Sequence, residues 1–232
     1  MRSRKLRIAE TRNATTAQTS GHQAILKDDA VTIKGLMWTI IIWVILTLLN
    51  YYYTNFFILA FVWPGLSLTL LILTIIQLVK AIKERRNLTK LRIAKLLVFM
   101  LLFILTFFKR TTDLAIEKVD WIVFEDRRRK VVDQVKNKEL NPNVSWNGWV
   151  CELPFEFPII SNGGNDIGIY RNKENNGTTV KFWVFRNFFD SPSTYFIYTD
   201  DPNKIKELEK KVAKRPGYNW KIKENWYRTY GD

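Results

Sequence analysis

The sequence has little of the chemistry that usually announces an enzyme. It carries one cysteine, Cys151, and one histidine, His22. A lone cysteine cannot close an intramolecular disulfide, and the two residues cannot assemble a Cys/His zinc site within one chain. Acidic residues are scarce in the first half. Residues 1–108 hold 4 Asp/Glu against 14 Lys/Arg, while residues 109–232 hold 18 against 22. Charge of either sign is missing from two long stretches, Gly35–Tyr53 and Phe56–Val79. No Ser/His or Cys/His nucleophile setting is recognisable, so no catalytic residue, cofactor site or metal site is predicted.

What is present is a membrane pattern. Gly35–Tyr53 is long enough as a helix to cross a hydrocarbon core of about 30 Å and has no polar stripe that would mark a buried core helix. Lys34 stands at one end; Tyr51, Tyr52 and Tyr53 are expected to form an aromatic girdle at the other. Thr54 and Asn55 connect it to the second run in a tight hairpin. Within that run, Trp63, Pro64 and Gly65 predict a kink, because proline removes a backbone donor. A third run, Ile93–Phe108, is the weakest. Its uninterrupted core, Leu96–Phe108, spans only about 20 Å of helix, with Lys95, Lys109 and Arg110 placed to snorkel. Thr39, Thr47, Ser67, Thr69, Thr74 and Gln77 are candidates to bond across helices.

Between the second and third runs lie seven basic residues: Lys80, Lys83, Arg85, Arg86, Lys90, Arg92 and Lys95. The N-terminal tail together with Lys34 carries seven more, and the connection near Thr54 carries none. Basic residues flanking apolar runs are a topology signal rather than a nucleic-acid patch, which would line one face of a soluble fold. The reading is therefore a disordered cytoplasmic tail (1–33) and three transmembrane helices within 34–110 (about 35–53, 56–79 and 93–110). The remainder lies outside the cytoplasm. Arg127–Lys130 argue against that side, though Glu125 and Asp126 precede them. If the third run does not cross, the rest of the chain is cytoplasmic. The tail shows no cleavable signal pattern, and the KLRIA repeat at Lys5–Ala9 and Lys90–Ala94 reads as coincidence.

Beyond Arg110 the texture becomes that of a soluble fold. Residues 111–140 are expected to form an amphipathic linker helix, with Val119, Ile122, Val123, Val131, Val132 and Val135 on its apolar face, continuing from the third span as a stalk. Strands are predicted at Trp146–Leu153, around Ile167–Arg171, at Thr178–Arg186 (central in the sheet) and at Ser193–Thr199, followed by a helix capped by Asp201 with Pro202 at its first position. Gly217–Tyr230 closes the fold as a strand or hairpin. The fold class is thus a three-helix membrane region plus a small α+β domain (141–232) with an antiparallel sheet. Ser161–Asp166 (SNGGND) could cradle an anion or calcium but reads as a turn. Glu152 and Glu156 could be imagined as paired carboxylates, but they read as solvated or edge positions. Trp146, Trp149, Trp183, Trp220 and Trp226 are core candidates that would mark a binding face if exposed together.

The runs LPFEFPIISNGGNDIGIY, VKFWVFRNFFDSPSTYFIYTDD and IKENWYR together resemble, over about residues 127–230, the C-terminal domains of small membrane proteins of low-GC Gram-positive and related bacteria. That resemblance implies architecture and bacterial origin and brings no activity. The expectation is a non-enzymatic multi-pass protein whose extracytoplasmic domain binds or senses a ligand, a wall component or a partner protein, with a protective, immunity-like role included. The alternative is an accessory subunit of a transport or secretion assembly. Expected partners are the lipid bilayer and either another protein or a second copy, not nucleic acid.

Overall fold

A computed structural model describes residues 33–53, 56–86, 88–186 and 192–231. The tail with His22, the first KLRIA copy and the Thr54–Asn55 connection lie outside them. Helix α1 is Ile33–Tyr52 and α2 is Phe56–Lys83. Helix α3 is Lys90–Phe107, starting a turn earlier than the apolar run because Thr89 Oγ1 accepts from Arg92 N and so caps it. Pro64 lies inside α2. Two segments, Ile33–Tyr52 and Phe61–Lys83, are long and apolar enough to cross a membrane; a third qualifies only when Lys90–Phe107 is taken with the helix that follows it.

The chain divides into two compact units, residues 1–46 with 67–104, and residues 47–66 with 105–232. In the first, Leu70, Phe99 and Leu102 are buried, whereas Ile41, Val44, Leu68, Ile75, Leu97 and Leu101 stay exposed. Helices apolar on every side without a covering layer are the mark of a lipid-facing region. Thr39 and Thr74 bond back to Gly35 O and Leu70 O of their own helices. The basic turn is solvent-facing, and Glu84 neutralises Arg92 alone through a two-pronged bond of 2.8 and 2.9 Å.

In the second unit, α4 runs Lys109–Lys136 and not 111–140, and it does not continue α3 as a stalk. Phe108, at φ −87° and ψ 52°, breaks the helix. The carbonyls freed at the break are taken up: Thr112 Oγ1 donates to Leu105 O (2.7 Å) and Trp63 Nε1 to Thr106 O (3.2 Å). The expected apolar stripe holds only in the second half, where Val131, Val132 and Val135 are buried. Val119, Ile122 and Val123 are 61–75% exposed, and the buried side of that half carries Glu117, Asp120 and Trp121 instead. Periodicity misled because the inward face is built from ion pairs.

Strands β1 (Val150–Glu152), β2 (Asp166–Arg171), β3 (Thr178–Phe185), β4 (Thr194–Thr199), β5 (Trp220–Lys223) and β6 (Trp226–Tyr230) form one antiparallel sheet ordered β1-β2-β3-β4-β6-β5. β1 is shorter than the predicted Trp146–Leu153 because residues 145–149 are taken up by turns. Helix α5, Pro202–Lys214, is capped as expected: the Asp201 side chain accepts from Asn203 N. On one sheet face Val180, Phe182, Phe196, Ile167 and Trp226 pack with Trp121, Val131, Val132 and Val135 of α4. On the other, Ile197 and Tyr227 pack with Leu208 of α5. Burial on both faces at about 25 cal/mol per Å² of apolar surface is the main stabilising term. Cys151 is fully buried, and burial pushes its thiol up, as for an inert structural cysteine.

The SNGGND turn acts as a stitch. Asn165, at φ 58°, accepts from Ile160 N (2.7 Å) and Ser161 N (3.2 Å) and donates to Phe155 O, Glu156 O and Pro158 O. Asn162 Nδ2 donates to Tyr51 O (2.8 Å) and Val184 O (2.6 Å), and Gly163 N reaches Tyr52 O. The last carbonyls of α1, which have no partner inside their own helix, are thereby capped by a turn more than a hundred residues away.

Lys181 sits on the α5 side of β3, 7% exposed, with its ammonium 4.9 Å from the Tyr170 ring and 5.3 Å from the Tyr195 ring. Burial, then Lys204 and Lys211, pulls its pKa down to about 8. In the unfolded chain the amine titrates near 10.4, so between the two values the unfolded state binds more protons and stability rises with pH. Lys181→Met removes this titrating group and is expected to flatten the rise in stability between pH 8 and 10. Denaturation midpoints across that range check it; an unchanged rise would show that Lys181 is not its source.

Candidate functional site

The C-terminal end of α1 enters the second unit instead of forming a tyrosine girdle. Tyr51 is 6% exposed, Tyr52 stands edge-on to it with ring centroids 4.9 Å apart, and only Tyr53 is fully exposed. Tyr52 OH donates to Asp120 Oδ1 at 2.9 Å. The other carboxylate oxygen takes Arg128 Nη2 at 2.5 Å, and Arg128 also donates to Ile160 O (2.9 Å) and Asp120 O (3.2 Å). Burial pushes the Asp120 carboxyl up against the pull of Arg128 and Tyr52.

Beside this network lies a cavity of about 430 Å³. Its walls come from the end of α1 (Asn50, Tyr51), the first turns of α4 (Lys109 to Glu117), the sheet (Val184, Phe185, Thr194, Arg228, Tyr230) and the loop before β5 (Gly217, Tyr218). Arg228 clasps Glu117 with Nε at 2.9 Å and Nη2 at 3.2 Å, and the guanidinium lies 4.6 Å from the Trp220 ring. Burial pushes the Glu117 carboxyl up, opposed by Arg228. Arg110 donates to Gly217 O at 2.9 Å and covers the Tyr218 ring at 4.3 Å. Lys109 pairs with Asp113 Oδ2.

Three groups on this wall are left over. The Asn50 amide, in a residue 8% exposed, uses neither its oxygen nor its nitrogen; the Tyr51 hydroxyl and Asp113 Oδ1 are also buried and unbonded among the described residues. Leaving a buried polar group unpaired costs about 1–3 kcal/mol, so these four atoms are places where the fold gives up stability. The size of the cavity falls within the range of small-molecule sites.

The five tryptophans that would mark a binding face if exposed together are not exposed together. Trp226 and Trp183 are core; Trp149 stacks on Tyr170 and Trp183 at 5.2 and 5.8 Å. That stack needs Gly168, where a Cβ would meet the Trp149 ring at 2.9 Å. Trp220 lies on the opposite sheet face under Arg228, and Trp146 is 70% exposed by itself. Glu152 and Glu156 are both exposed, and no group of three or more His, Cys, Asp or Glu converges among the described residues. Sequence reasoning missed the cavity. Asn50 fell within the first apolar run and Arg228 within the closing segment Gly217–Tyr230, and no local pattern joins positions so far apart.

No protein-family model, curated protein or solved structure matches the chain.

Proposed function

We propose that this is a non-enzymatic bacterial membrane protein, anchored by three helices, whose C-terminal domain lies outside the cytoplasm and binds or senses a ligand in the cavity. The observation that carries the reading is the cavity of about 430 Å³ walled by the end of α1, the first turns of α4 and the sheet. A binder with a protective, immunity-like role falls within the same reading. The proposed orientation is supported by charge. Lys80, Lys83, Arg85, Arg86 and Lys90 are exposed on the short turn between α2 and α3, where basic residues weigh most in setting orientation. Arg127 and Lys130 are exposed too, but they belong to a long domain, which crosses largely regardless of charge.

A second reading, accessory subunit of a larger membrane assembly, is favoured by the apolar strip of Val119, Ile122 and Val123 on α4. A hetero-complex surviving in mild detergent would favour it over the binding protein.

The first test is topology. Single cysteines at Asn87 and Gly231, in a Cys151→Ser background, are probed in intact cells with a membrane-impermeant thiol reagent. The expected result is labelling at 231 in intact cells and at 87 only after lysis. Labelling of both only after lysis would place the domain in the cytoplasm and overturn the orientation.

A further inference from the structure

The first half of α4 turns a carbon face outward. Val119, Ile122 and Val123 are 61%, 75% and 61% exposed, and Ala115 and Ile116 carry the same face one turn back toward the start of the helix. The other side of this half, with Glu117, Asp120 and Trp121, is buried. What covers the outward strip is indicated by its neighbour. Leu48 and Tyr52 of α1 line one groove with Ile116, Val119 and Val123, all within the same compact unit. Leu48 is itself 40% exposed and stands about 6 Å of helix before the end of α1 at Tyr52. Since α1 is long and apolar enough to cross a membrane, the strip runs on from the last turns of a candidate span. In a spanning helix those turns lie where acyl chains give way to head groups.

Charge and side-chain type agree with a lipid surface. Between residues 118 and 130 the exposed basic residues are Lys118, Arg127, Arg129 and Lys130, against Asp126 as the one exposed acidic residue. Such a surplus beside an apolar strip favours anionic head groups. A protein partner would be expected to find aromatic or arginine anchors, whereas Val119, Ile122 and Val123 are all aliphatic. We propose that the first half of α4 lies on an anionic bilayer surface, with Val119, Ile122 and Val123 inserted at the head-group boundary beside the end of α1. The inference rests on the reading of α1 as a membrane span.

The full chain, in a Cys151→Ser background, is reconstituted in vesicles of phosphatidylcholine and phosphatidylglycerol. A nitroxide is attached in turn to Val119→Cys, Ile122→Cys, Ile42→Cys and Lys206→Cys. Ile42, exposed near the middle of α1, is the lipid reference, and Lys206, exposed on α5, is the water reference. Electron paramagnetic resonance reads how strongly each label is relaxed by oxygen, which concentrates in lipid, and by a water-soluble nickel chelate. The oxygen-to-nickel ratio at 119 and 122 is expected to be at least about threefold above that at 206 and below that at 42, as for side chains at the boundary. A ratio equal to that at 206 would leave the strip in water and overturn the proposal, while a high ratio at 42 would keep α1 as a span. Weak relaxation by both reagents at 119 and 122 would show the strip covered by another protein or a second copy, and would overturn it equally. A ratio at 42 as low as that at 206 would overturn the span, and the inference with it. In vesicles of phosphatidylcholine alone the ratio at 119 and 122 is expected to fall; an unchanged ratio would overturn the preference for anionic head groups.

Discussion

Arg128→Ala is expected to destabilise the C-terminal unit by about 3–5 kcal/mol, the largest effect of any single substitution outside the hydrophobic core. The guanidinium is 1% exposed and joins three parts of the fold. It bonds the Asp120 carboxylate, the Asp120 carbonyl and the Ile160 carbonyl, and lies 4.8 Å from the Phe196 ring. Alanine would leave the Asp120 charge buried with only Tyr52 as a partner, the Ile160 carbonyl short of a donor, and a void beside Phe196. Arg128→Met with Asp120→Asn should recover part of the loss. The variant pair then buries no unpaired charge, and asparagine still accepts from Tyr52. Chemical denaturation of the full chain in detergent, followed by tryptophan fluorescence through Trp121 and Trp226, checks both. A loss below about 1 kcal/mol for Arg128→Ala would mean the network adds little beyond a surface ion pair.

Asn165→Ala is expected to cost about 3–4 kcal/mol. Two backbone N–H groups, of Ile160 and Ser161, and three carbonyls lose their partner at once, in a residue 1% exposed. The left-handed backbone at φ 58°, which asparagine tolerates, adds strain for alanine. Asn165→Gly separates the two contributions, since glycine adopts that backbone freely but restores no hydrogen bond. It should remain destabilised by about 2–3 kcal/mol, read by the same denaturation experiment. Because the neighbouring Asn162 and Gly163 hold the carbonyls of Tyr51 and Tyr52, Asn165→Ala is also expected to loosen the end of α1. Amide exchange at Gly163 would report it.

The sequence by itself determined the features that depend on one-dimensional patterns. Uninterrupted apolar runs mark the two helices able to cross a membrane, and the basic residues from Lys80 to Lys95 mark the turn between α2 and α3. Alternation and turn chemistry mark the antiparallel strands, down to Asp201 and Pro202 at the start of α5 and both faces of β3. These follow from local rules of burial, capping and backbone geometry, which act within a few residues. Only the tertiary structure decided the rest. The buried side of α4 reads as polar in sequence because its burial is repaid by partners elsewhere: Glu117 meets Arg228 and Asp120 meets Arg128 and Tyr52. A pair of charges looks like two surface residues until the fold closes on it. The SNGGND turn was legible as a turn but not as the cap of α1, because its partners are Tyr51 and Tyr52. The cavity exists where the end of α1, the start of α4 and one end of the sheet meet. Its walls come from residues as far apart as Asn50 and Tyr230, and no sequence pattern records which distant residues the fold brings together.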